Sequence, residues 1–209
     1  MATYNKTIPL LRDHHTHPML YAAFATGVDL SVRGEETNAE ALASEAVRRI
    51  AQATERNPTG WTIAYGWNDG VFPISESDID ALPPVVVFNV SLHTLRVNRH
   101  GRELMNKSFP ELVQNLHSPD WIERNLRRVL NAFANDGATA SRLVDFYDKI
   151  LLRQHGIYYA EEMLMTGVME IDLFADAGLL ERTRFWAAGT TGRIAVVAST
   201  PGSRYKTIH

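Results

Sequence analysis

A short histidine-rich stretch, DHHTH, places three of the chain's eight histidines within four positions beside Asp13. If residues 7–17 form a strand, the side chains alternate between its faces, so His15 and His17 project to one side and His14 to the other. Neutral imidazoles are ligands for zinc and other transition metals, and Asp13 could accept the second ring N–H of a ligand. The spacing predicts a divalent-metal site with His15 and His17 as ligands and Asp13 as their supporting acceptor.

The alternative to a metal site is a chance pair of histidines. A histidine pair two residues apart is more often a surface or capping accident than a pair of ligands. Here the pair follows an aspartate and ends an apolar run near the N-terminus, which favours the metal interpretation. Because the chain contains no cysteine, thiolate ligands and disulfides are excluded, and any metal must be held by nitrogen and oxygen.

The composition is typical of a globular protein and argues against several function classes. Of the 209 residues, 45% are hydrophobic and 22% are charged, which argues against disorder. The formal net charge of -3 comes without a basic stripe, so we expect neither nucleic acid nor an anionic membrane as a partner. The N-terminus lacks a signal-peptide pattern and no apolar run reaches the length of a membrane span, so we expect a cytoplasmic protein.

Helices and strands alternate along the first half of the chain. Apolar residues at helical spacing predict a helix over 38–56, with Thr37 and Glu40 as a capping box at its start. Aromatic and β-branched residues predict a strand over 61–67, and a continuous apolar run over 85–90 predicts a strand covered on both faces. This alternation predicts an α/β fold.

The second half continues the same pattern. Helices are predicted from Ser118 to about 135 and over 139–154, the latter ending at Gly156 in the C′ position. A strand over 157–160 would carry Glu161 and Glu162 at its end. A further helix is predicted over 170–180, followed by strands over 184–188, 194–198 and 205–209. No repeat or composition shift marks a linker, so we predict one domain over residues 1–209.

The order of these motifs resembles the amidohydrolase superfamily, in particular amidohydrolase family 3, which includes formamide deformylase-like metal-dependent hydrolases. Residues 13–18 match the D-x-H-x-H-P signature at the end of the first barrel strand. The remaining matches follow in the same order and spacing: Gly66-Trp67, Ile79-Asp80-Ala81-Leu82-Pro83, Pro84-Val85-Val86-Val87, His93 and Asn98. The segment 155–160 is similar to the next strand of this family. Five ordered matches are more specific than one motif.

This resemblance implies a distorted (β/α)8 barrel of the TIM-barrel type that carries one or two divalent metals, with zinc expected. His15 and His17 would bind the more buried metal. His93 would be catalytic in the substrate pocket, where Trp67 and Asn98 would contact a small-molecule amide. The implied reaction is hydrolysis of an amide or formamide C–N bond by metal-activated water.

The resemblance also bears on Lys206 and on the length of the chain. Lys206 lies where the family's "vKifaDG" segment begins, so it is similar to a lysine that is carboxylated and bridges two metals. Only twelve residues precede Asp13, where this family usually has a β-sandwich segment. A complete barrel needs about 250 residues or more, so the sequence matches the first half of such a barrel.

Three interpretations follow from these matches and departures. The chain is a metal-dependent hydrolase completed by further residues or by a second copy, or a non-catalytic member that serves as a partner subunit. The third is a small complete α/β enzyme whose metal is held by His15, His17 and a carboxylate such as Glu162. Because a half barrel exposes strand edges and an apolar sheet face, we expect a homo-oligomer or a complementing second chain.

Overall fold

The structure is a computed structural model, and it describes residues 9–33, 37–56, 60–107, 109–134, 139–165, 168–187, 193–198 and 205–208. The chain divides into two compact units. The first, which we call the histidine unit, consists of Met1–Ala22 and Asp136–His209. The second, the inserted unit, consists of Ala23–Asn135 and interrupts the histidine unit in sequence.

Strands and helices alternate over most of the described chain. The strands are β1 (Leu11–Thr16), β2 (Val28–Asp29), β3 (Thr62–Trp67), β4 (Val85–Asn89), β5 (Leu95–Val97), β6 (Ile157–Met165), β7 (Thr183–Ala187), β8 (Arg193–Ala198) and β9 (Tyr205–Ile208). The α-helices are α1 (Pro18–Phe24), α2 (Ala39–Arg56), α3 (Glu76–Ile79), α4 (Arg99–Asn106), α5 (Pro110–Gln114), α6 (Pro119–Ala134), α7 (Thr139–Asp145) and α8 (Val168–Asp176). Helix α7 continues into a π-helix at Phe146–Gln154, and a short 3₁₀-helix spans Leu180–Arg182.

The inserted unit is built on a four-stranded sheet in the order β2-β3-β4-β5. The first three strands are parallel, and β5 runs antiparallel to β4. Strand β4 is buried at all five positions, as its continuous apolar run predicts. The core of the inserted unit consists of Leu30, Ala46, Ile50, Ala64, Trp67, Phe72, Ile74, Ile79, Val85 and Val87. Burying each large side chain of this kind contributes about 1.5 to 3 kcal/mol.

The start of helix α2 differs from the predicted capping box. The side-chain Oδ1 of Asn38 accepts hydrogen bonds from the backbone N–H of Glu40 at 3.0 Å and of Ala41 at 3.1 Å. Asn38 therefore caps the helix in place of Thr37, and the predicted cap was wrong by one residue. Asparagine and threonine satisfy the same orphan N–H groups, so a sequence that contains both in succession leaves the position of the cap open.

The histidine unit is built on a five-stranded sheet in the order β1-β6-β7-β8-β9. Strands β1, β6 and β7 are parallel, whereas β8 and β9 each pair antiparallel with the preceding strand. Its core consists of Met19, Ala22, Leu143, Phe146, Tyr147, Leu151, Ala160, Ile171, Phe174, Leu179 and Phe185. Strand β6 is longer than predicted, so Glu161 and Glu162 lie inside the strand. Hydrogen bonds to both carboxylates, described below, offset the cost of burying them there.

The predicted α/β fold is confirmed, whereas the half barrel stays a prediction. In the part of the chain that the structure describes, the strands form two open sheets and no closed barrel. The sequence predicts one domain over 1–209, and this stays a prediction. The chain groups into two compact units, with the boundaries in sequence within helix α1 and after helix α6. A boundary inside a helix leaves no linker for composition to reveal. None of the described helices is long and apolar enough to cross a membrane.

Candidate functional site

His15 and His17 lie together at the carboxyl end of β1, beside the parallel strand β6. Their ring centroids are 5.3 Å apart, and the ring planes are inclined at 81°. The register against β6 shifts between residues 13 and 16, so that Thr16 lies opposite Glu162. Such a bulge re-aims the side chains that follow it. The structure therefore brings the two predicted metal ligands into contact at a strand end.

The ring of His17 has an unsatisfied nitrogen. Its Nδ1 lies 3.7 Å from Oε1 of Glu162, which is too far for a hydrogen bond. Within the described residues this Nδ1 is buried and has no hydrogen-bond partner. Glu162 is fully buried, and its Oε2 accepts the backbone N–H of Met19, in the first turn of α1, at 2.8 Å. A carboxyl group at the N-terminus of a helix is stabilised there, so the hydrogen bond from Met19 holds the side chain of Glu162 in place beside Nδ1 of His17.

The donor set at this strand end fits a divalent metal in its chemistry. Imidazole nitrogens and carboxylate oxygens are the ligands of zinc in sites without cysteine. A buried polar atom without a partner, such as Nδ1 of His17, calls for an ion or a water to satisfy it. In the described part of the chain, however, no three His, Asp or Glu side chains converge in a group that could hold a metal ion. The described residues at this strand end would therefore make up only part of a coordination sphere.

His14 is held by a different carboxylate. Its Nδ1 lies 2.9 Å from Oε1 of Glu161, and Glu161 also accepts the indole N–H of Trp186 at 2.7 Å and a guanidinium N–H of Arg184 at 3.2 Å. Burial alone would raise the pKa of Glu161, but the hydrogen bonds from His14 and Trp186 and the charge of Arg184 outweigh it and lower that pKa. Glu161 and Glu162 are neighbours in β6, so their side chains point to opposite faces of the sheet. His14, which contacts Glu161, therefore lies on the face opposite to Glu162.

Asp13 has a backbone contact in place of the predicted ring contact. Its Oδ1 accepts the backbone N–H of His15 at 2.9 Å. This is the local turn that aspartate side chains commonly form with the residue two positions on. The contact supports the backbone where β1 leaves its regular register, and so it positions His15 through the main chain.

Asn98 lies in the inserted unit, directly after β5, and it is fully buried. Its Oδ1 accepts the backbone N–H of Val85 at 3.0 Å and of Gly101 at 2.9 Å. Its Nδ2 donates to the carbonyl oxygens of Ile79 at 3.1 Å, Leu82 at 2.8 Å and Pro83 at 2.8 Å. These bonds use the whole capacity of the amide and cap helix α4, which favours a structural role over the predicted substrate contact.

Trp67 is also part of the architecture of the inserted unit. Its side chain is 1% exposed, and its indole N–H donates to the carbonyl oxygen of Phe72 at 2.9 Å. The guanidinium of Arg96 lies over the ring, 5.0 Å from its centroid. The indole is therefore almost fully buried in its own unit, and together with Arg96 it lines a cavity of about 560 Å³.

His93 is exposed, in the turn between β4 and β5. Its backbone N–H donates to the hydroxyl of Ser91 at 3.2 Å, and its ring lines a cavity of about 280 Å³. The predicted catalytic residue thus belongs to the inserted unit, whereas His15 and His17 belong to the histidine unit. Its catalytic role stays a prediction.

The backbone of Lys206 lies in β9, opposite Val197 of β8. Strands β1 and β9 are at opposite ends of the five-stranded order. Four strand spacings of about 4.8 Å separate the two strands, or roughly 19 Å across the sheet. The sheet order therefore does not bring Lys206 beside His15 and His17, and its role as a carboxylated ligand stays a prediction.

Sequence reasoning gave Glu161 no role, although the structure makes it the acceptor for three side chains. The signal for it was the pair Glu161-Glu162 next to a strand of otherwise apolar and aromatic residues. Buried carboxylates require donors, so such a pair predicts that cationic or N–H groups lie on both faces of the sheet. Strand alternation then places His14 on the face of Glu161 and His17 on the face of Glu162.

No protein-family model matches the chain, and no curated protein matches it. Among solved structures, the chain is similar to the crystal structure of an uncharacterized metal-dependent hydrolase from Pyrococcus horikoshii OT3. The TM-score is 0.55 and the sequence identity is 16%. The match covers 86% of this chain and 36% of that chain, so the present chain spans well under half of that protein's length. The chain therefore shares its fold with part of a metal-dependent hydrolase.

Proposed function

We propose that this chain contributes the metal-binding strand of a metal-dependent hydrolase, with His15 and His17 as ligands. The observation that carries the proposal is the contact of two imidazoles at a strand end. There Nδ1 of His17 lies 3.7 Å from Glu162 and has no hydrogen-bond partner among the residues that the structure describes. In α/β barrels the carboxyl ends of the parallel strands are where chemistry is placed. The fold shared with a metal-dependent hydrolase supports the same assignment.

Each polar side chain of this strand end then has a role. His15 and His17 would hold the metal through ring nitrogens, and Glu162 would offer an oxygen to the metal or to the ring of His17. Asp13 supports the backbone of His15. Lys206 as a carboxylated further ligand has less support, because its strand lies at the opposite end of the sheet from β1. One or two divalent ions, with zinc expected, would act as a Lewis acid and would activate a water molecule.

We propose an amide or formamide C–N bond as the bond cleaved, and His93 as the catalytic side chain. The bond and the catalytic residue are both proposed from the resemblance to amidohydrolase family 3. The exposure of His93 beside a cavity supports its catalytic role. The substrate contacts proposed for Trp67 and Asn98 have less support, because both side chains are buried and hydrogen-bonded within the inserted unit.

Metal content tests the ligand assignment directly. The chain is purified without chelator, dialysed against zinc or manganese and subjected to elemental analysis, as are His15→Ala/His17→Ala and His14→Ala. We expect bound metal in the wild type and in His14→Ala, and its loss in the double variant. The His14 variant is the matched control, because it removes an adjacent imidazole that contacts Glu161 instead. Equal metal in the wild type and the double variant would overturn the assignment.

Turnover tests the reaction separately from the metal. Formamide, amide and ester substrates are offered to the metal-loaded chain, and hydrolysis that disappears in His15→Ala/His17→Ala supports the hydrolase. A chain that binds metal and yields no product would favour a second candidate, a non-catalytic partner subunit. The absence of a three-ligand group among the described residues favours that candidate.

We also propose that the chain associates with a second copy of itself or with a complementing chain. Strand β1 lies at the end of its sheet and pairs with β6 alone among the described strands. Leu10 and Leu11, at and just before its start, are 59% and 47% exposed. Unpaired edges with exposed apolar side chains are prone to pairing with another chain. Light scattering checks this, and a stable monomer across the accessible concentrations would contradict it.

A further inference from the structure

Two cavities of the inserted unit share one side chain, that of Arg96. The larger, of about 560 Å³, has Asp69 and Glu76 in its wall, and the smaller, of about 280 Å³, has His93 and His117. Small-molecule sites typically have volumes of about 300 to 1,000 Å³ and a few convergent polar groups. Arg96 therefore stands where a small ligand in either cavity would meet a fixed positive charge.

Arg96 is a cation without a counter-ion. In the described part of the chain no carboxylate pairs with its guanidinium, and its one hydrogen bond is long, 3.4 Å to the carbonyl oxygen of Leu95. Arg102, by contrast, pairs with both Glu76 and Asp80. Arg96 lies over the ring of Trp67, a buried side chain, so it is positioned by packing. A stacked guanidinium keeps its planar N–H edge available for an oxyanion.

The turn that contains His93 is already ordered in the absence of a ligand. Leu92 has φ = 62°, a left-handed conformation that is rare for leucine and costs free energy. Asn89 holds the turn, because its Oδ1 accepts the backbone N–H of Ser91 at 2.8 Å and its Nδ2 donates to Asp69 at 2.8 Å. The backbone at His93 is thus ordered in advance, which lowers the entropy cost of binding.

The charges around the smaller cavity favour an anion. Its wall includes Arg96, His93, His117 and the hydroxyl-bearing Thr94, and no carboxylate. Even a neutral imidazole has one N–H to donate. Glu76 is outside this wall and pairs with Arg102, and its Oε1 also lies 3.8 Å from Nε2 of His117. An anion that enters this cavity therefore has hydrogen-bond donors in the wall, namely those of Arg96, His93, His117 and Thr94.

We propose that the smaller cavity binds the carboxylate or phosphate group of a small organic anion, with Arg96 as the main contact and His93 and His117 as supporting donors. Carboxylate and phosphate share the planar pair of oxygens that a guanidinium recognises. The site lies entirely in the inserted unit, and it shares His93 with the proposed hydrolase. Anion binding at Arg96 is therefore measured in the absence of metal, a result that a failure of the hydrolase proposal would not change.

Calorimetric titration of the full chain with malonate and with inorganic phosphate tests the site. We expect saturable binding of at least one probe, weakened about tenfold or more in Arg96→Gln, since a charge-assisted pair is worth about 1.5 kcal/mol or more. Arg96→Lys keeps the charge but loses the planar pair of donors, so its affinity should fall between the two. Arg99→Gln, which removes an exposed arginine from the same unit, is the matched control and should bind like the wild type.

Each outcome decides the proposal. Malonate binding without phosphate binding assigns a carboxylate ligand, and the reverse assigns a phosphate. No saturable binding of either probe, or equal affinity in the wild type and Arg96→Gln, overturns the site. If Arg96→Gln loses its native circular dichroism, His93→Ala/His117→Ala replaces it, with a weakening of about threefold or more expected for two neutral hydrogen bonds. Wild-type affinity in that double variant would count against the proposal.

Discussion

Asn98 and His17 each follow directly after the last residue of a strand, β5 and β1 respectively, but their hydrogen bonding differs. Asn98 is fully buried, and its amide makes five hydrogen bonds to the backbone of the inserted unit. The imidazole of His17 is partly exposed, and within the described residues its Nδ1 has no partner. The amide of Asn98 has no hydrogen-bonding capacity left for a ligand, whereas the imidazole of His17 does.

This difference separates structural from chemical roles better than residue type does. Both positions match motifs of the same family, and both were expected to serve the reaction. A polar group that is saturated by its own unit stabilises the fold, and removing it leaves several buried partners unsatisfied. A polar group that its own unit leaves unsatisfied costs stability, which is the common condition of groups that bind ligands.

Replacing Asn98 with alanine should give the largest effect on stability. The substitution removes the side-chain partner of two N–H groups and three carbonyl oxygens, most of them buried, and the carbonyls of Ile79 and Leu82 keep one other partner each. We expect a loss of about 3 to 5 kcal/mol in the free energy of unfolding. Urea denaturation followed by circular dichroism measures it.

The control for Asn98→Ala is Asn106→Ala, at an exposed position of helix α4. That change should stay within about 0.5 kcal/mol of the wild type. Similar midpoints for the two variants would break the comparison, because the five bonds of Asn98 would then contribute little to stability.

Much of the fold could be predicted from the sequence, because burial leaves a regular pattern of apolar residues. The run over 85–90 predicted a covered strand, and β4 is buried at every position. The short strand β5 was not predicted, since Leu95–Val97 is only three residues long and follows directly on the turn at Leu92. The grouping into two compact units leaves no signal in the composition, because one boundary falls within helix α1.

The candidate site was predictable only in part. The contact between His15 and His17 follows from strand alternation, and the rings do lie together. The partners of Glu161 come from two other strands, His14 from β1 and Arg184 and Trp186 from β7, which are far apart in sequence. No local pattern links such positions, so the carboxylate that fixes His14 became visible only once the sheet order was known.

A second test of the comparison uses Glu161, a carboxylate that accepts hydrogen bonds from three side chains. Despite burial, the hydrogen bonds from His14 and Trp186 and the charge of Arg184 lower its pKa below the usual 4.5. Because the folded pKa is depressed, its stabilising contribution is present above the unfolded value and is lost as the pH falls through the folded value. We expect Glu161→Gln to lose stability of about 1 to 3 kcal/mol at neutral pH and less in acid.

Denaturation midpoints of the wild type and Glu161→Gln between about pH 6 and pH 3 check this sign. The two curves should converge towards acid pH. Glu123→Gln, at an exposed position of helix α6, is the control and should follow the wild type at every pH. Parallel curves for Glu161→Gln and the wild type would show that the carboxylate is not held in its charged form by the fold.

Removing His17 should give the smallest effect in the absence of metal, and this sharpens the comparison most. His17→Ala deletes a ring nitrogen that has no partner, so we expect a change within about 1 kcal/mol. With zinc at about 100 times its dissociation constant, the wild type should gain about 2.7 kcal/mol and His17→Ala should gain little. His14→Ala should show the opposite pattern, because it breaks the bond to Glu161 but retains the stabilisation by zinc. Thermal unfolding of the three proteins with and without zinc measures both, and equal zinc stabilisation in His17→Ala and the wild type would place the metal elsewhere.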